Sequence, residues 1–233
     1  MNYLEALSTT VKELSLEDWG NEKWLTLANL ITPEVIESTI PLLGSFPQLF
    51  AGLEILARPP KNLERIKKKI TEQPPTSKNY FKAVSELLAG RILCEVHEIA
   101  SKCEAIEEVV KKEGGIFYYR TFNPGESKSY IKEGKYVDII QFVYVYLPKV
   151  DHIIEFQVGH PFAALTFTID SALRDGKEGY VDLWTDGFYG EVKTEILKKA
   201  NGGEAQTNEL FVKAKNIHKG EIPEALEAIL DKI

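Results

Sequence analysis

Glu155 and Gln157 stand two residues apart in the stretch DHIIEFQV, residues 151–158, with Ile154, Phe156 and Val158 alternating around them. Side chains two apart in a strand share a face, so the carboxylate and the carboxamide point together, away from the apolar side. Polar groups placed this way are either solvated or set there for chemistry, and a carboxylate among them can hold a cation or serve as a general base. Upstream, ELLAGRI at residues 86–92 brings a second acid, Glu86, and a cation, Arg91. RIKKKIT at 65–71 adds Arg65, Lys67, Lys68 and Lys69, with Thr71 at its end. Read together, the strand and ELLAGRI suggest an enzyme that handles nucleotides.

These residues need elements to position them. In the first third, Leu4, Leu7, Val11 and Leu14 form one helical stripe, and Thr32 followed by Pro33 and Glu34 is a helix start with Thr as N-cap and Pro in the first turn. Arg58, Pro59 and Pro60 break the chain and open a basic helix expected to reach Gln73, where Pro74 and Pro75 stop it. A further helix is expected over Tyr80 to Leu88, with Gly90 ending it before a short strand from Arg91 to Val96. There Ile92, Cys94 and Val96 face the core and Arg91 and Glu95 face away. The next helix runs to about Lys112 and closes at Gly114 and Gly115.

The centre reads as sheet: aromatic and β-branched Ile116 to Phe122, a turn over Asn123 to Ser127, then Asp138 to Leu147, apolar on both sides as in an internal strand. Beyond Pro161, helical stripes return at Phe162, Leu165, Ile169 and Leu173, and at Ile222, Leu226, Ile229, Leu230 and Ile233. The expected fold is α/β, in the α+β sense: a mixed sheet, open on one face, flanked by N- and C-terminal helices. The expected division is an N-terminal helical flank at 1–59, a core at 60–165 and a C-terminal helical flank at 166–233.

With 233 residues, 44% of them apolar, the chain can bury a sizeable core. A formal charge of −7 and a pI near 5.3 argue against non-specific nucleic-acid binding, which calls for a broadly basic surface. No apolar run has the length of a membrane span and the first residues lack the pattern of a signal peptide, so a soluble, cytoplasmic protein is the expectation. Cys94 and Cys103 lack zinc-type partner pairs and read as reduced structural thiols. His97, His152, His160 and His218 share no metal-binding spacing, and Trp19, Trp24 and Trp184 read as core or interface anchors.

In order along residues 65–158, these segments resemble the RelA/SpoT-type alarmone synthetase domain. Arg65, Lys67 and Thr71 fit its phosphate-binding Arg, x, Lys and later Ser. Glu86 and Arg91 occupy the places of the Asp and Arg in its Asp, Leu, Leu, Gly, x, Arg segment. Lys128 to Ile131, KSYI, is similar to its Lys, Asp, Tyr, Ile loop; Tyr136 resembles the tyrosine that stacks on guanine, and EFQV its Glu, x, Gln, x strand. Aligning Tyr136 puts Ile140 where the family has histidine, and Gly159 and His160 where it has Arg and Thr.

The resemblance implies a nucleotidyltransferase-like core that moves pyrophosphate from ATP to the 3′ hydroxyl of a guanine nucleotide with magnesium as cofactor. Glu86 and Glu155 would be its metal-binding, catalytic acids. Arg65, Lys67, Lys69, Thr71, Arg91, Lys128, Tyr136 and Gln157 would bind substrate. Such a transfer asks mainly for charge neutralisation and in-line positioning. ATP and a guanine nucleotide would be the partners, with neither membrane nor non-specific nucleic acid, and a homo-oligomer is left open. Three other readings stand beside it: a catalytically degenerate nucleotide- or partner-binding module of the same fold, a tRNA-modifying toxin relative, and a nuclease-like acid cluster of Asp138, Glu155 and Gln157. Each motif also has a plainer reading: a solvated basic helix face, an ordinary surface acid at Glu86, a sheet aromatic at Tyr136.

Overall fold

The computed structural model describes residues 2–16, 18–71, 80–119, 131–132, 135–174, 187–205 and 207–217, together with 224, 226 and 227. The architecture is mixed α/β, and the chain divides into two compact units. The first takes Met1–Ile92, Ser101–Phe122 and Phe142–Gln157; the second takes Leu93–Ala100, Asn123–Gln141 and Val158–Ile233.

In the first unit, α1 (Tyr3–Glu13) is opened by Asn2, which accepts from the Glu5 amide while Glu5 reaches back to the Asn2 amide. Its buried side is Tyr3, Ala6, Leu7, Thr10 and Val11. Leu7 and Val11 lie inward as expected, but Leu4 is 41% exposed, because the apolar stripe is centred one position earlier, on Tyr3. Helix α2 (Glu22–Asn29) buries Trp24 and Leu27. Helix α3 (Pro33–Leu43) starts at Thr32, whose hydroxyl accepts from the Val35 amide. After α4 (Phe46–Leu49) comes β1 (Leu56–Arg58), then α5 (Leu63–Thr71) and α6 (Phe81–Ser85).

Strand β2 (Ala89–Leu93) follows, then α7 (Ile99–Lys112), whose Cys103, Ile106 and Val110 are buried, and β3 (Ile116–Tyr119). Gly114, at φ 67, closes α7 as expected, since a side chain there would be strained. Strands β6 (Ile140–Leu147) and β7 (His152–Gly159) complete a five-stranded sheet of order β1-β2-β7-β6-β3. β1 runs antiparallel to β2, and β3 to β6. The Glu155 amide donates to the Leu88 carbonyl at 2.9 Å and the Cys94 amide to the Gly159 carbonyl at 3.0 Å, bonds that climb together along β2 and β7 as in a parallel pair. The sheet is therefore mixed.

The structure departs from several expectations. Arg58 ends a strand, so the expected break before the basic helix starts at Pro59 and not at Arg58, and the helix expected over Tyr80 to Leu88 is the shorter Phe81–Ser85. Gly90 is inside β2 and caps nothing; a Cβ there would stand 2.7 Å from Ile55 Cγ2 and 3.1 Å from Phe156 Cε1, so glycine permits close packing over the strand. The sheet is not open at β7, all eight of whose residues are buried, as are all eight of β6. The core of this unit joins Trp24, Phe81 and Tyr144 edge to face, with centroids 5.0 Å apart at both contacts. Phe46 and Phe50 pack on Phe156.

In the second unit, β4 (Ile131–Lys132) and β5 (Lys135–Tyr136) pair antiparallel. A single 3-10 turn spans Val96–Glu98, and α8 (Pro161–Arg174), α9 (Gly187–Ala200) and α10 (Thr207–Ile217) follow. Phe162, Leu165 and Ile169 are buried, as the stripe predicts, and so is Leu226. Phe162 packs on Tyr189 and Phe211. The turn expected at Asn123 to Ser127 and the helical end expected at Gln73 lie outside the described residues. Among the described residues, no helix is long and apolar enough to cross a membrane.

Candidate functional site

The first unit gathers its charges in two adjoining groups. Glu155, near the middle of β7, is 2% exposed, and Gln157 is 7% exposed. Arg58 Nη1 donates to Glu155 Oε1 at 2.9 Å and Gln157 Nε2 to the same oxygen at 3.1 Å. The Tyr144 hydroxyl donates to Oε2 at 3.3 Å, and Arg91 Nε donates to Gln157 Oε1 at 3.1 Å. The result is a continuous chain from Arg91 through Gln157 and Glu155 to Arg58. Strand periodicity explains it: residues two apart point one way, and Tyr144 on the neighbouring β6 is fixed by the Phe81 ring. Burial draws the Arg91 guanidinium down to about 10, with Arg58 adding and Glu155 opposing, so it stays charged at neutral pH.

The second group surrounds Glu86, at the end of α6 and 4% exposed. Lys61 Nζ donates to its Oε2 at 2.8 Å, and Lys69 Nζ donates to the same oxygen. Burial alone would raise this carboxyl, but Lys69, Lys61 and Lys82 outweigh it and hold Glu86 well below the usual range, ionised. Burial draws Lys69 below the ordinary ammonium range; Glu86 pulls it back up, while Lys82 and Lys61 push it further down.

The two groups adjoin through the backbone. Arg58 pairs in register with Ala89, three residues beyond Glu86, and the Glu155 amide is bonded to Leu88. Lys61 follows Arg58 by three positions, so one short segment supplies a cation to each acid.

Helical geometry sorts the α5 candidates. Residues four apart share a face and residues two apart oppose it. Ile66 is buried, Arg65 and Lys69 are half-buried, and Lys67, Lys68 and Thr71 are exposed. The Thr71 hydroxyl donates back to the Lys67 and Lys68 carbonyls, both at 3.2 Å. Of this segment, Lys69 is brought to Glu86. Tyr136 belongs to the second unit, where Asn201 brackets its backbone: the Tyr136 amide donates to Asn201 Oδ1 at 2.9 Å, and Asn201 Nδ2 donates to the Tyr136 carbonyl at 3.1 Å. Lys128 lies outside the described residues.

Arg58, Lys61 and Tyr144 were missed from the sequence. The only signal for the first two was cationic residues flanking the Pro59–Pro60 break; Tyr144 looked like any aromatic in a buried strand.

A two-glutamate donor set suits magnesium, which takes one or two carboxylates and completes its shell with phosphate oxygens and water. Each carboxylate here already carries partners, with which an ion would compete. Among the described residues there is no cluster of three or more His, Cys, Asp or Glu that could hold a metal by itself. The chain matches no family model and no curated protein.

Proposed function

We propose that the first unit receives the polyphosphate of ATP at the cations around Glu86 and Glu155, and that the protein transfers pyrophosphate to the 3′ hydroxyl of a guanine nucleotide, as the RelA/SpoT resemblance implies. The observation that supports it is the convergence of Arg58, Lys61 and Lys69 on two buried acids, with Arg91 on Gln157 beside them, from three stretches of chain. A cluster richer in cations than in acids suits a polyanion. Arginine forks onto two phosphate oxygens and lysine contributes a point charge.

In this reading, incoming phosphates take Arg58 and the lysines from the carboxylates. Glu155, relieved of Arg58 and still held by Gln157 and Tyr144, accepts the proton of the attacking hydroxyl. The 3′ oxygen bonds to the β-phosphorus, the bond from that phosphorus to the α–β bridging oxygen breaks, and AMP leaves. Magnesium, when bound by Glu86 and Glu155, would supply neutralisation of phosphate charge.

A second reading, a nucleotide-binding module without turnover, is favoured by one observation: both Glu155 oxygens already accept bonds from within the chain. Incubation with labelled ATP, magnesium and GDP or GTP separates the two. AMP together with a slower-migrating guanosine product supports transfer. Calorimetric nucleotide binding without AMP supports the module, and absence of binding ends both.

A further inference from the structure

The second unit contains a cavity of about 390 Å³ whose lining includes Glu95, Tyr136, His160, Ile196, Lys199 and Phe211. That is the size of a small-ligand site, with polar side chains set among aromatic and apolar walls. His160 is its most constrained member. Gly159 comes so close to Ile139 that a Cβ would stand 2.5 Å from the Ile139 carbonyl oxygen, and the His160 amide donates to that oxygen at 2.9 Å. Pro161 then begins α8, and His160 caps it: its Nδ1 accepts from the Phe162 amide at 3.1 Å. The ring is 3% exposed and lies nearly parallel to Phe211, at 13° with centroids 5.7 Å apart.

Because Nδ1 is an acceptor, the proton of the neutral ring sits on Nε2, the nitrogen left to face the cavity. Burial, with Lys199 adding, lowers the His160 pKa to about 4 and keeps the ring neutral at physiological pH. The cavity therefore offers a ligand His160 Nε2 and Lys199 Nζ as donors, with His97 and the Tyr136 hydroxyl also in its lining, the Glu95 carboxylate as acceptor, and aromatic faces. Guanine and inosine-type rings carry O6 and N7 acceptors beside an N1–H donor. Adenine presents an amino donor where they present O6.

We infer that His160 is a specificity-determining residue of this chain, its Nε2–H and the Lys199 ammonium selecting a 6-oxopurine ring while Glu95 accepts from the ring N–H. The inference rests on the guanine-nucleotide reading above. It assigns the selection to His160 and to α9 and α10, which lie outside the stretch that resembles the family.

The test is calorimetric binding of guanosine, inosine and adenosine to the full chain. Guanosine and inosine should bind about tenfold more tightly than adenosine, the scale of one hydrogen bond gained against one donor left facing a donor. His160→Phe keeps a ring against Phe211 but has no N–H, and should bring the three ligands to parity; His160→Asn, which can cap and donate, should restore part of the preference. Should His160→Phe fail to fold by circular dichroism, the exposed Lys199→Met carries the same comparison. Equal binding of adenosine and guanosine to the wild type, or a full preference that survives in folded His160→Phe or in Lys199→Met, overturns the inference. AMP formation without ring preference overturns this inference alone, and ring preference without AMP overturns only the transfer reading.

Discussion

Arg58 and Glu155, 97 residues apart in sequence, meet at 2.9 Å in the first unit with side chains 16% and 3% exposed. Breaking a pair this deeply placed leaves a carboxylate with less compensation than its burial requires. Arg58→Ala should destabilise the protein by about 3 kcal/mol, read as a lower denaturant midpoint. Combining Arg58→Met with Glu155→Gln removes both charges and should recover most of that loss. A shift below about 0.5 kcal/mol in Arg58→Ala would show that the pair contributes nothing.

Glu86 makes an acid-limb prediction. Its folded pKa lies below the reference value of 4.5, so the folded chain binds fewer protons than the unfolded one below that pH. Its contribution is complete above about pH 4.5 and is lost as the pH falls further. Glu86→Gln should flatten the stability profile below pH 4.5. At neutral pH it should also cost about 3 kcal/mol, because Lys61 and Lys69, with side chains 13% and 21% exposed, lose their counter-charge. An unchanged acid limb would clear Glu86 of this role.

His160 acts in a higher window. With a folded pKa of about 4 against 6.5 for the free ring, the unfolded chain takes up its proton first, so stability present above pH 6.5 declines as the pH falls toward 4. The full loss is roughly 3 kcal/mol. His160→Asn should remove most of this slope. His152, also lowered by burial, leaves a residual one. Thermal melts across pH 4 to 7 decide, and a wild-type profile that is flat there contradicts the assignment.

The two tight glycines should differ. At Gly159 a Cβ meets backbone, the Ile139 carbonyl oxygen at 2.5 Å and Ile140 Cα at 2.7 Å; at Gly90 it meets the tips of the Ile55 and Phe156 side chains. Backbone cannot step aside as a side chain can. Gly159→Ala should therefore cost more than Gly90→Ala, about 3 against about 1 kcal/mol. The reverse order in chemical denaturation would refute this account.

Local rules made much of the fold legible. Thr32 as N-cap, the glycine stop at Gly114, the two-sided apolar run of β6 and the stripes of α1 and α8 all follow from hydrogen bonds and periodicities within a few residues. Glu155 and Gln157 could be placed on one side of a strand for the same reason. Three-residue β1 carries too little pattern to be seen before its partner β2 is present, and Gly90 looked like a helix stop because the neighbours that crowd it, Ile55 and Phe156, are distant in sequence.

Composition and spacing by themselves determined part of the helix and strand pattern, the shared side of Glu155 and Gln157 and the abundance of cations near position 65. Tertiary structure decided which groups meet the acids: Arg58 and Tyr144 at Glu155, Lys61 at Glu86. Residue type sets which bonds a side chain can make and short-range periodicity sets which way it points. Only strand pairing and burial bring together groups nearly a hundred positions apart and remove the water that would otherwise screen them.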